Sequence, residues 1–253
     1  MSNKSNNLYR FLVAQGDDAI ILSHRLSEWC SNAPYLEEDL ALTNVALDYL
    51  GRARLFYQYA AELKGGDETE DSIAYTRDER QYTNLLIHEL PINDFAYTLL
   101  RQYFLDVFYV EYMTGLCQSS DQRIAAIAGK SVKESRYHLK RSQPWITQLA
   151  EGTEESRRRI LDALTELESF VGELFEMPEW EQQLVTDGIA FDRQLIREKW
   201  DHQVQALLSA SDINILDSQL KIGGGREGIH TEFLGHLLSE MQYLQRAYPG
   251  LKW

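Results

Sequence analysis

The sequence predicts an all-α fold: a helical bundle carried as one domain over residues 1–253. Three observations predict it. Segment after segment places apolar residues three and four apart, the spacing of an amphipathic helix. No segment shows a convincing strand pattern. Mid-helix, Lys133-Glu134-Ser135-Arg136-Tyr137-His138 looks like half of a di-metal carboxylate site. Four-helix bundles house such sites with one Glu from each of two helices and a Glu-x-x-His pair from each of the other two.

The elements follow in order. Asp17 or Asp18 opens a periodic stretch through Trp29, with Ile21, Leu22, Arg25, Leu26 and Trp29 on one side and an earliest start at Leu8. Asn32-Ala33-Pro34 breaks it. A second helix runs from about Leu36 to Leu63, with Glu37, Glu38 and Asp39 in a first turn whose dipole favours them, and Gly65-Gly66 ends it. A third is expected from near Thr76 to just before Pro91. Asn93 is read as the cap of a fourth, Asp94 to about Ser119. Asp121 caps a fifth, reaching about Ala150 with a kink at Pro144. Thr153 caps a sixth, to about Phe175. Pro178 starts a short helix ending at Asp187-Gly188, and Asp192 caps another to about Leu208. After an irregular stretch containing Gly223-Gly224-Gly225, a last helix spans about Thr231 to Ala247.

A chain of 253 residues can bury roughly 70–75% of its unfolded surface, so the core needs no staples. Cys30 and Cys117 are its two cysteines, with no spacing motif for a disulfide framework or zinc. That fits a reducing compartment, and a cytoplasmic location is expected. The polar Met1 to Asn7 and the interruption at Arg10 leave no signal-peptide core. No apolar run approaches the ~18 residues of a spanning helix. The net charge of −14 disfavours nucleic acid and anionic membrane as partners.

The fourth helix carries Phe95, Tyr97, Tyr103, Phe104, Phe108, Tyr109 and Tyr112 on all sides. A helix apolar all round is buried, either under the chain's own C-terminal helices or under another protein, for which aromatic-rich surface is characteristic. The second of these makes the fourth-helix layer the favoured partner surface. On the last helix, Leu234, Leu237, Leu238, Met241, Leu244 and Tyr248 form an apolar stripe.

Polar residues on inward faces carry the chemical question. His138 lies in the stripe of Ile124, Ile127, Ser131, Leu139, Ser142, Trp145 and Leu149, where a hydrogen-bonded core histidine and a metal ligand are the two readings. The residue three before it is Ser135, while Glu134, four before, is rotated about 100° from position 135. Asp106, between Tyr103, Val107 and Val110, needs a partner or a proton, and His138 is the expected partner. Asp48 and Arg52 are spaced to pair, as are His24 and Glu28, with His24 expected to be partly exposed. The chain's one Glu-x-x-His, Glu227 to His230, adjoins a glycine-rich loop rather than sitting in a bundle helix. Gly223 to Gly225 follows no strand, so it is a weak phosphate cradle.

The strings LSHRLSEWCSNAPYLEEDLAL, AYTRDERQYTNLL, KESRYHLKRS and GIHTEFLGHLLSEMQYLQRAYPG together resemble the structural (C) subunit family of bacterial phenylacetyl-CoA epoxidases, and the likeness covers nearly the whole chain. The resemblance implies a ferritin-like helical bundle with additional C-terminal helices. It implies a role in aerobic phenylacetate breakdown, beside a catalytic (A) subunit that carries di-iron and binds the acyl-CoA, and beside the other subunits of the mono-oxygenase complex. The catalytic relative has D-E-A-G-H on its second core helix, where this chain reads Asp48-Tyr49-Leu50-Gly51-Arg52. It has K-E-E-S-F-H where this chain reads Lys133 to His138. By that mapping the di-iron positions hold Tyr49, Arg52, Asp106, Ser135 and His138. Glutamate has become Tyr49 and Ser135, histidine has become Arg52, and Asp106 and His138 are retained. A guanidinium at Arg52 puts a fixed positive charge where the cations would sit, with Asp48 or Asp106 to balance it. The resemblance therefore implies no metal, cofactor or catalytic residue in this chain. The alternative is a self-sufficient di-metal oxidase or hydroxylase using Asp106, Glu134, His138 and Asp48 with His24 or Glu28. A helical scaffold unrelated to oxygenation would leave the four strings unexplained.

Overall fold

The computed structural model describes residues 3–214 and 220–251. Among them there is no strand, and the fold is an all-α helical bundle. The helices in chain order are α1 (Asn3–Ser27), α2 (Leu36–Lys64), α3 (Glu70–Tyr75), α4 (Leu86–Glu89), α5 (Phe95–Leu116), α6 (Gln122–Glu151), α7 (Glu154–Val171), α8 (Glu179–Thr186), α9 (Arg197–Ala210), α10 (Glu232–Met241) and α11 (Tyr243–Ala247). The irregular stretch expected after Leu208 lies partly outside the described residues.

Several boundaries follow their local chemistry. The side chains of Asp94, Asp121, Thr153 and Asp192 each accept a hydrogen bond from a backbone N–H of the turn they open, satisfying donors that the helix itself leaves unpaired. Asp94 therefore takes the capping position expected for Asn93, which instead adopts a left-handed backbone with φ of 48°. α6 runs through Pro144. The last helix is divided at Gln242 into α10 and α11.

Two expectations need correction. α1 already includes Asn3, ahead even of the earliest expected start at Leu8, and Asp17 and Asp18 lie buried in its middle. The continuous third helix from Thr76 to Pro91 does not form. Residues 76–91 hold a 3-10 turn at Glu79–Gln81 and the single turn of α4, joined by irregular backbone. The physical reason is tertiary. The N–H groups of Thr83 and Leu85 each donate to a buried carboxylate, Asp17 and Asp18 respectively, at 2.8 Å. A helix would consume those donors internally.

The chain divides into two compact units, Met1–Pro91 with Gly223–Trp253, and Ile92–Ile222. In the first, α1 and α2 pack along their lengths. They come close at Gly16, where a Cβ would fall 2.3 Å from the Tyr57 ring. Only a glycine lets that ring lie against α1.

In the second unit α5 is the central helix, packed by α6, α7 and α9. Trp200 donates its indole N–H to the Phe104 carbonyl at 2.9 Å, and its ring meets Phe104 edge-on at 5.2 Å. Phe175 closes on Phe108 at 6.0 Å and Trp145 on Phe95 at 5.3 Å. Tyr97, Tyr103, Tyr109 and Tyr112 are buried as well. The aromatic layer is thus the interior of its own unit. That overturns the expectation that it faces a partner: each ring gains about 1.5–3 kcal/mol by burial against the chain itself.

Candidate functional site

The residues mapped to former metal positions fall in both units. On α2, Tyr49 and Arg52 are buried, and the Arg52 guanidinium lies over the Tyr49 ring at 4.7 Å from its centre. An arginine stacked on an aromatic face is a favourable cation–π pair, strengthened by desolvation. Asp48 is half-buried beside them.

On α5, the Asp106 side chain is fully buried. One of its oxygens accepts from the Gln102 amide at 2.6 Å, and the other from the Ser142 hydroxyl of α6 at 2.7 Å. Along α6, Ser131, Ser135, His138 and Ser142 form one buried polar row at spacings of four, three and four. Because Asp106 touches Ser142, it lies within about one helical turn, 5–6 Å along the axis, of His138. Asp106 of α5 thus meets, at Ser142, the buried row of α6 that also carries Ser135 and His138.

The remaining candidates separate. Glu134 points off that row, half-buried, and pairs with Lys130 at 3.4 Å. Glu28 is exposed and pairs with Arg25 at 2.6 Å, while His24 is half-buried. Burial, and then the neighbouring Arg25, hold His24 below its ordinary pKa. Glu227 is exposed, whereas His230 turns inward to Glu89 at 2.8 Å, so the Glu-x-x-His pair does not converge.

The donor set does not fit a di-iron centre. Such a centre needs several carboxylates and imidazoles aimed at one point. Among the described residues no three His, Cys, Asp or Glu side chains come together in a way that could hold a metal ion. In the seam, both Asp106 oxygens already accept hydrogen bonds, from the Gln102 amide and the Ser142 hydroxyl, which a bound cation would have to displace.

Sequence reasoning missed a set of three buried carboxylates in the first unit. Asp17 accepts from the Tyr57 hydroxyl at 2.5 Å and pairs with Arg77. Asp18 is gripped through both oxygens by Arg226, at 2.8 and 2.5 Å, with His88 at 3.8 Å. Glu89 accepts from Asn84 and pairs with His230, each at 2.8 Å, and takes the Thr231 N–H at 2.6 Å. Burial pushes the Asp18 carboxyl up, but Arg226 and then His88 outweigh it and hold it below the usual carboxylate range. Burial disfavours charge on His230, yet Glu89 outweighs that and raises it. Every member has an opposite charge or a donor in reach, so the cluster ties α1, residues 76–90 and the C-terminal segment together rather than presenting a reactive group. The signal in the sequence was two adjacent acids within an otherwise apolar periodic stretch. They read as a helix start because their partners lie 40 to 208 residues away.

No helix among the described residues is long and apolar enough to cross a membrane. A family model described as "Phenylacetic acid catabolic protein" matches residues 1–253. The chain is also 46% identical over 248 residues to the C subunit of the 1,2-phenylacetyl-CoA epoxidase of Escherichia coli (strain K12), covering 98% of this chain and 100% of the relative.

Proposed function

The chain belongs to the phenylacetic acid catabolic protein family, and from that premise we propose that it is the non-catalytic structural subunit of a phenylacetyl-CoA epoxidase complex. In this reading the complex converts the aromatic ring of phenylacetyl-CoA to an epoxide in phenylacetate catabolism. The chemistry resides in a catalytic (A) subunit that supplies di-iron. This chain contributes no cofactor and no reacting group. It is a ferritin-like bundle, working in the cytoplasm and binding neither nucleic acid nor membrane.

One observation carries the reading: the buried carboxylate of the α5–α6 seam takes its hydrogen bonds from the protein itself. Asp106 is satisfied by Gln102 and Ser142, and Ser135 stands where a ligand glutamate is expected. A side chain that takes hydrogen bonds from neutral donors within its own bundle acts in packing and rigidity. The self-sufficient oxidase alternative loses support because Glu134 and Glu28 lie off the buried face and are already paired.

The test is co-expression of this chain with the catalytic subunit in iron-supplemented cells, followed by co-purification and elemental analysis of each separated chain. The expected result is a stable pair with iron in the catalytic subunit and less than about 0.2 iron per copy of this chain, against the two metals that a carboxylate-bridged centre holds. Two iron atoms per copy of this chain, or no association with the catalytic subunit, rejects the proposal.

A further inference from the structure

The outer face of α2 is apolar where a lone bundle would carry polar residues. Tyr35, Leu36, Leu40, Leu47 and Leu50 are 60%, 72%, 57%, 57% and 39% exposed. From Leu36, the positions 40, 43, 47, 50 and 54 follow at steps of four, three, four, three and four. The apolar part, Leu36 to Leu50 with Thr43 between, is a stripe about 21 Å long at 1.5 Å per residue, with Arg54 beyond it, opposite the buried Val45, Tyr49, Arg52 and Phe56. Isolated exposed leucines need no explanation, whereas a contiguous stripe of this length marks an interaction surface.

Two further observations say what covers it. The stripe ends in a cleft of about 280 Å³ lined by Ile20, Leu50, Ala53, Tyr57, Ala74 and Tyr75. This is a pocket of the kind that receives an anchoring side chain at an interface. Acids border the stripe: Glu37 and Asp39 lie in its first turn, Asp48 beside Leu47, and Glu70 and Asp71 line the cleft. The cation at the far end, Arg54, is already tied to Glu70 at 3.2 Å. A second copy of this chain laid on the stripe, parallel or antiparallel, would set acid against acid on a molecule of net charge −14. A complementary partner therefore carries positive charge.

We propose that the outer face of α2 docks an amphipathic helix of a different chain, apolar along one stripe, flanked by lysines or arginines, and inserting one large apolar side chain into the cleft beside Leu50. This deepens the proposed role in the complex and rests on it. Helix-on-helix packing of this kind seats the ridges of one helix in the grooves of the other over several turns.

The experiment uses the full chain co-expressed with the catalytic subunit of the epoxidase. Three variants are compared with the natural chain: Leu40→Glu with Leu47→Glu, Glu37→Lys with Asp39→Lys, and, as control, Tyr243→Glu with Leu244→Glu on the exposed face of α11. All six positions are at least partly exposed, and unchanged helical circular dichroism and melting confirm that each variant folds. The leucine pair should raise the dissociation constant at least about 30-fold. The charge reversal should raise it several-fold at low salt and flatten its salt dependence, and the control should leave it unchanged. Leucine and charge variants that bind as tightly as the natural chain overturn the proposal while leaving the structural-subunit role intact. An effect of the leucine pair confined to self-association of the isolated chain assigns the face to a second copy and also overturns it. A natural chain that does not bind the catalytic subunit at all fails the structural-subunit role, and the docking proposal with it.

Discussion

Arg226 grips both carboxylate oxygens of Asp18 across 208 residues of chain, at 2.8 and 2.5 Å, with both side chains buried. The contact joins the middle of the first helix to the turn preceding the last ones. It explains why a C-terminal segment without a core of its own stays attached to the α1–α2 pair. Gly228 shapes that turn with φ of +73°, approaching the Arg80 carbonyl so closely that a Cβ there would lie 2.3 Å from it.

Arg226→Met should destabilise the chain by about 3–5 kcal/mol, because a buried carboxylate is left without its cation. Replacing both partners, Asp18→Asn with Arg226→Met, should cost less than the single change, because no charge remains uncompensated. Urea unfolding of the three proteins measures both. A single variant as stable as the natural chain would show that the pair contributes nothing.

The same pair sets the acid limb of stability. The folded-state pKa of Asp18 is depressed, with Arg226 and His88 outweighing burial. Its contribution is therefore present above the unfolded value of about 3.9 and lost as pH falls through the lower folded value. The melting temperature should fall as pH drops below about 4, and Arg226→Met should flatten that fall. An equally steep acid limb in Arg226→Met would remove Asp18 as its source.

His230 acts with the opposite sign. Glu89 raises its pKa against the effect of burial, so the charged pair contributes fully below about pH 6.5 and is lost as pH rises through the raised folded value. Thermal scans from pH 6 to pH 9 should show stability declining in the natural chain and a weaker decline in His230→Gln. Nuclear magnetic resonance titration of the imidazole gives the shift directly, and a pKa at or below about 6.5 would contradict it.

His138→Ala should lower stability by about 1–3 kcal/mol, the range for removing a buried polar group and disturbing its neighbours. Turnover of the reconstituted complex should be unchanged once the folded concentrations are matched. A large loss of turnover at unchanged stability would give His138 a part in the chemistry.

Phe108→Ala should cost about 3–5 kcal/mol, as expected for an aromatic ring removed from a packed interior, because Phe108 stacks on Tyr112 at 5.2 Å and meets Phe175 at 6.0 Å. Its effect on association with the catalytic subunit, measured below the melting temperature, should be under about threefold, smaller than the loss expected at a hot spot. A selective loss of binding would return the aromatic layer to the interface.

The sequence by itself determined what short-range physics can specify. Apolar periodicity, capping residues at Asp121 and Thr153, and the Gly65-Gly66 stop marked α2, α6 and the start of α7 almost to the residue, because each signal and its effect lie within a turn or two. Four strings of residues were enough to identify the family. The tertiary structure decided the rest. It turned Asp17 and Asp18 from an apparent helix start into the buried anchor of α1, and it broke the expected third helix so that Thr83 and Leu85 could donate to those carboxylates. It covered the aromatic α5 with Trp200 and Phe175 from later in the chain and left the outer face of α2 bare. In each case the deciding partner is distant in sequence, and a local pattern records that a side chain is polar or apolar, not which remote group will satisfy it.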